Sequence, residues 1–165
     1  MSDKNGVGVT VISHDSESRT RVHGFSCQGC YSRNVHYNGA SLSQLASLTR
    51  VSSHCEQFIK YECHESVMFT RYGVYAWWVS RDSSQMTYWG GASPGSGQCA
   101  CGMTNSCADP RYGCNCDKND NVWREDSGLL TDKISLPVKQ LRFGDATGSE
   151  EGYHTLGKLK CYGVA

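Results

Sequence analysis

The chain has 165 residues and a mass of 18.2 kDa, with sixteen Lys plus Arg against sixteen Asp plus Glu, so it carries no formal net charge. A neutral chain without a basic stripe offers nothing to track a phosphate backbone, which argues against nucleic acid as a partner. Four Trp, nine Tyr, eighteen Gly and ten Cys beside only three Pro describe one turn-rich, mainly β domain, long enough to bury a core of its own.

Val7 to Ser13 (VGVTVIS) sets Val7, Val9 and Val11 on one side of an extended run and predicts an opening strand. From His14 to Gly39 the sequence is polar and glycine-bearing, which reads as loops and short strands, with Val35 and Tyr37 alternating against His36. The period changes at Ser41 to Val51 (SLSQLASLTRV). Leu42, Leu45, Leu48 and Thr49 share a helical face, and Ser41 with Gln44 forms a Ser-x-x-Gln capping box. Alternation returns in Glu56 to Cys63 (EQFIKYEC), a strand that follows the helix directly.

Tyr72 to Gly91 reads as a hairpin of two aromatic-rich strands around the polar turn Ser80 to Ser84. Its rings Trp77, Trp78, Tyr88 and Trp89 are expected mainly in the core, with sugar stacking as their alternative use. Neighbours on a strand point to opposite faces, so one of Trp77 and Trp78 must face outward or lie under a loop. Beyond Trp123, Leu136, Val138 and Leu141 pack inward, and one last strand is expected from about Tyr153 to Tyr162.

Five cysteines, Cys99, Cys101, Cys107, Cys114 and Cys116, fall within eighteen residues that contain almost no aliphatic side chain. Such a stretch needs cross-links or a metal to hold it. The spacing C-x-C-x5-C-x6-C-x-C lacks the two-residue or four-residue turn that brings thiolate pairs to one zinc ion, so disulfides are expected. Cys27 and Cys30 do form C-x2-C, but in a glycine-containing loop with no following helix to lower a thiol pKa. One local disulfide, or two separate bonds, fits better than redox catalysis. Cys55, Cys63 and Cys161 complete the set of disulfide candidates.

Asp117, Asn119, Asp120 and Asn121 pack four oxygen-bearing side chains into five residues, the chemistry of a weak calcium site. Val122 and Gly128 stand where an EF-hand loop needs Gly and Glu, so a solvated turn is the preferred reading and no cofactor is required. Six histidines (14, 23, 36, 54, 64 and 154) are scattered singly, and neither G-x-S-x-G nor H-E-x-x-H occurs, so the chain is read as a binder and not an enzyme. Ten cysteines favour an oxidising compartment, yet the opening MSDKNGVG lacks the basic start and apolar stretch of a signal peptide. The expectation is a piece of a longer secreted or membrane protein. No run of about 18 apolar residues is present, so direct membrane insertion is not expected.

The segment WWVSRDSSQMTYWGGASPGSGQCACG, continuing through CADPRYGCNCDKNDNVWREDSGLL and LPVKQLRFGD, resembles the fibrinogen-like region of the contactin-associated proteins and neurexin IV, from about Ser52 to Gly163. The resemblance implies a fibrinogen C-terminal-like α+β fold, mainly antiparallel β with one helix at about 41–51 and disulfide-stapled loops. Residues 1–165 would form one domain whose N-terminal subdomain is truncated. It also implies a non-enzymatic extracellular adhesion module, within proteins that are membrane-anchored. A fainter likeness to the fibrillar-collagen C-propeptide, through Leu45 to Cys63, Leu136 to Pro137 and Gly157 to Cys161, implies a bond between Cys63 and Cys116. Cys27 and Cys30 depart from both patterns. The expected partner is an extracellular protein or glycan. The alternatives are a fibrinogen-related lectin assisted by calcium, and an assembly piece that self-associates.

Overall fold

The computed structural model describes residues 2–4, 7–70 and 73–163. In chain order its elements are β1 (Ser2–Lys4), β2 (Val7–Ile12), β3 (Thr20–Val22), β4 (Tyr31–Asn34), α1 (Leu42–Val51), β5 (His54–His64), β6 (Phe69–Thr70), β7 (Gly73–Val74), β8 (Trp77–Val79) and β9 (Gln85–Met86). There follow the single turn α2 (Ala100–Met103), a 3-10 turn at Asn115–Lys118, β10 (Arg124–Leu130), β11 (Gln140–Phe143), β12 (Glu151–Leu156) and β13 (Leu159–Tyr162). The α+β class holds: the described strand pairs are antiparallel and one helix of full length sits among them.

The helix starts where its cap dictates. Ser41 stays extended and accepts from the Gln44 amide, while the Gln44 side chain accepts from the Ser41 amide. Two of the four orphan donors of the first turn are thereby satisfied. Leu45 and Thr49 are the buried residues of its inward stripe.

β5 is the spine of the molecule. Its odd-numbered residues from Cys55 to Cys63 are buried, and its even-numbered ones lie toward solvent, the period-two pattern of a sheet covered on one face only. The sheet runs β1-β2-β13-β5-β12-β3, with β10 pairing β5 from the other side. A second sheet, β4-β11-β8-β9, closes over the core. Tyr61 stacks on Phe143 at 4.3 Å, and Trp89 meets the same Phe143 edge-on at 6.0 Å, so these rings join the spine to the second sheet. Leu136, Val138 and Leu141 are fully buried, as the alternation of the sequence predicts.

Three expectations about elements need correction. The single strand from Tyr153 to Tyr162 is two, because the Gly157 carbonyl turns out of the ladder to accept from the Gln57 amide at 3.1 Å and to meet His14 Nε2 at 2.7 Å. The hairpin has the turn at residues 80–84, but its second arm is only Gln85–Met86, and Tyr72, where the sequence reading begins it, lies outside the described residues. Tyr88 and Trp89 leave the ladder because Gly90 must pass against Gly128: a Cβ on Gly90 would sit 2.2 Å from the Gly128 carbonyl oxygen. Finally β10 was not anticipated. Its sequence REDSGLL carries few strand-forming residues, and pairing with seven residues of β5 imposes the conformation.

Candidate functional site

The ten cysteines form five disulfides: Cys27–Cys30, Cys55–Cys161, Cys63–Cys116, Cys99–Cys114 and Cys101–Cys107. The last four are nested like brackets, each closed inside the one before. The Cys63–Cys116 pairing is the one the collagen-propeptide likeness implies, and Cys27–Cys30 is a local bond. At the centre of the cluster lies Asp126, buried, its carboxylate accepting from the Asn115 and Cys116 amides at 2.9 Å each. The sulfurs of Cys99 and Cys114 and an Asp126 oxygen lie within 4.8 Å of one another, a spacing that suits a metal, but the two sulfurs are bonded to each other.

The residues Asp117, Asn119, Asp120 and Asn121 do not converge. Asp117 is buried and accepts from the Met68 and Phe69 amides at 2.7 and 3.2 Å. Asp120 holds Arg124 in a two-pronged ion pair at 3.0 and 2.7 Å. Asn119 takes the left-handed conformation, and the Asn121 side chain meets His64 at 2.6 Å. Asp117, Asp120 and Asn121 are each committed to a different neighbour.

Burial pushes Asp117 up to about 6, against the lowering by its two amide donors, and burial likewise pushes Asp126 up to about 6. The folded state therefore keeps these protons at a pH where the unfolded chain, at its ordinary 3.8, has released them. The stability each contributes is whole below about pH 4 and is lost as the pH rises through about 6. Burial draws His154 down to about 4, and it acts in the opposite sense: its contribution is whole above about 6.5 and is lost as the pH falls through 4. Relative to the parent chain, Asp126→Asn is expected to flatten the decline of the melting temperature between pH 4 and pH 6. Parallel profiles for the two proteins would contradict this.

Of the four hairpin rings, Trp78, Tyr88 and Trp89 are buried in the core, where they are mainly expected, and are not free for stacking. The Trp78 indole N–H donates to the Tyr88 carbonyl at 2.8 Å, and that of Trp89 donates to the Asp126 carbonyl at 2.9 Å. Trp77 is the outward member of its pair, half-buried beneath the Arg142 guanidinium at 5.4 Å.

The ring that the sequence reading passed over is Trp123, 47% exposed. It directly precedes β10 and lies on the uncovered face of the spine sheet. Its indole stands between His64 at 5.3 Å and Tyr153 at 5.8 Å, both tilted by 37°. His64 is pinned through both ring nitrogens, to the Ser149 carbonyl at 2.7 Å and to Asn121. These two acceptors hold its pKa above the usual histidine value. The Arg19 guanidinium lies 3.6 Å over the Tyr153 ring and donates to Glu62 at 2.7 Å. Strand register puts Glu125, Glu62 and Tyr153 in one row across β10, β5 and β12. A depression of about 440 Å³ opens here, lined by Arg19, Glu62, Trp123, Arg124 and Glu125. The available signal was a lone tryptophan in the charged setting NVWRED, one residue before the strand that the sequence reading missed.

A disulfide-stapled α+β domain with a half-bare aromatic patch on an open sheet face is what the geometry defines. Over 157 residues it is 41% identical to contactin-associated protein 1 of rat and of human, an alignment that covers 93% of this chain and 11% of those proteins. Over 169 residues it is 38% identical to neurexin-4 of Drosophila melanogaster, covering 96% of this chain and 13% of that protein. The likeness to the contactin-associated proteins and neurexin-4 thus holds along nearly the whole chain, beyond the stretch from Ser52 on which the cysteine and aromatic segments carried it. The chain spans little more than a tenth of the length of these relatives. No family model matches it.

Proposed function

We propose that this chain is an extracellular, non-enzymatic adhesion or recognition module of a larger protein, binding a protein or glycan outside the cell. The observation that carries the reading is the similarity to contactin-associated protein 1 and neurexin-4 over more than nine-tenths of the chain. Five disulfides agree with an oxidising compartment, since cross-links of this density do not persist in a reducing one. No helix among the described residues is long and apolar enough to cross a membrane. The test is binding of the oxidised chain, clustered on beads, to intact cells. Saturable binding that soluble chain competes away is expected, and beads that bind no better than bare ones would overturn the reading.

The module works without calcium, because the carboxylates of Asp117 and Asp120 are already committed to the Met68 and Phe69 amides and to Arg124. A ligand held only by the folded state raises apparent stability by RT ln(1 + [L]/Kd). Millimolar calcium is accordingly expected to leave the melting temperature unchanged within error. A clear upward shift, abolished by Asp117→Ala or Asp120→Ala, would put a calcium-assisted lectin in place of the calcium-free module.

A further inference from the structure

We propose that the depression at Trp123 is a glycan subsite in which one pyranose ring stacks on the indole. The assignment rests on the recognition reading above and names the class of its ligand. Three features carry it.

First, the platform is preorganised. Trp123 lies between the rings of His64 and Tyr153, and His64 is fixed at both nitrogens, so little side-chain freedom remains to be lost on binding. Second, Trp123 is the one apolar residue in the lining of the depression. The other residues lining the depression, Arg19, Glu62, Arg124 and Glu125, are charged and of both signs. A protein partner usually covers a broader apolar core ringed by a polar rim. An isolated indole among planar hydrogen-bonding groups instead fits a small polar ligand with one apolar face. A pyranose is such a ligand: its C–H face meets the negative face of the π system, and its hydroxyls reach carboxylate and guanidinium groups. The volume of about 440 Å³ lies within the range of small-molecule sites.

Third, Glu125 stands directly opposite Glu62 across the β10–β5 ladder. Like charges so placed cost stability. Arg19 offsets the charge of Glu62, whereas the Glu125 carboxylate forms no hydrogen bond or ion pair among the described residues. A row of strand positions that works against stability and leaves one acceptor unused fits a ligand that supplies the missing donors. The balance of signs around the rim favours a neutral sugar over a sulfated or sialylated one.

The oxidised chain is applied to immobilised oligosaccharides ending in neutral hexose, N-acetylhexosamine or sialic acid, and the best binder is titrated in solution by calorimetry. Binding of a neutral terminus is expected, weakened at least about tenfold by Trp123→Ala and unchanged by Ile134→Ala at a 70% exposed position. Glu125→Gln, at an exposed side chain without protein partners, relieves the repulsion with Glu62 and is expected to weaken binding several-fold while the melting temperature holds or rises, and it decides the matter where Trp123→Ala fails to fold. No binding to any oligosaccharide, or equal binding by both variants, overturns the subsite. Cell binding that survives removal of surface glycans but is lost in Trp123→Ala also overturns it, making Trp123 a protein contact and leaving the recognition reading intact.

Discussion

Replacing Cys55 and Cys161 together by Ala is expected to lower the unfolding free energy by about 4 kcal/mol, the largest effect of removing any one of the five bonds. The two cysteines are 106 residues apart and fully buried between β5 and β13. On the chain-entropy account a loop of that length restricts the unfolded chain by roughly 4.7 kcal/mol, but Cys63–Cys116, 53 residues apart, already short-circuits half of it. The same account gives the Cys27–Cys30 bond, spanning 3 residues at the surface, less than about 2 kcal/mol. Urea unfolding of the two double variants measures the contrast, and equal losses would contradict it. Full reduction should unfold the domain, because the combined loss exceeds the stability of most domains of this size.

Trp78→Ala is expected to cost about 3–5 kcal/mol, whereas Trp77→Ala should cost less than half as much. Trp78 is fully buried, meets Tyr88 edge-on at 5.5 Å and satisfies the Tyr88 carbonyl with its indole N–H. Truncation there leaves a large cavity and an unpaired buried acceptor. Trp77, one residue earlier and on the opposite face, covers the backbone of Gly29 and remains half-exposed. Chemical denaturation with intact disulfides compares them, and similar small losses at both positions would refute the assignment of faces.

What could be read from the sequence is what short-range physics sets. The Ser41–Gln44 box marks the first turn of α1 whatever surrounds it, and the alternation of Glu56 to Cys63 survives in β5 because one face of that strand is covered and the other is wet. The spacing of the cysteine cluster pointed away from zinc, while the partner of each cysteine depended on contacts 15 to 106 residues away for three of the bonds. β10 was hidden because its backbone obeys β5 and not its own composition. With it went the aromatic patch, since Trp123, His64 and Tyr153 meet only once three strands are in register. The oxygen-rich run of residues 117–121 could be read either way for a related reason: it looks like one set of ligands until the fold gives Asp117, Asp120 and Asn121 to different neighbours.

The nesting of the disulfides has a mechanical meaning. β2 and β13 are adjacent and antiparallel, with Val9 opposite Tyr162, so a pull on the two ends of the chain opens the sheet like a zipper from its rim. Unzipping stops at Cys161, which is welded to Cys55 on the spine. Tension can then draw out residues that precede Cys55 and residues that follow Cys161, and nothing between the two. Everything enclosed by the Cys55–Cys161 bond, including the three inner loops and the platform at Trp123, carries no load. Beyond that point the link through Cys55 and Cys161 is inextensible, while Arg19, on the drawn-out side, leaves the rim of the depression at Trp123.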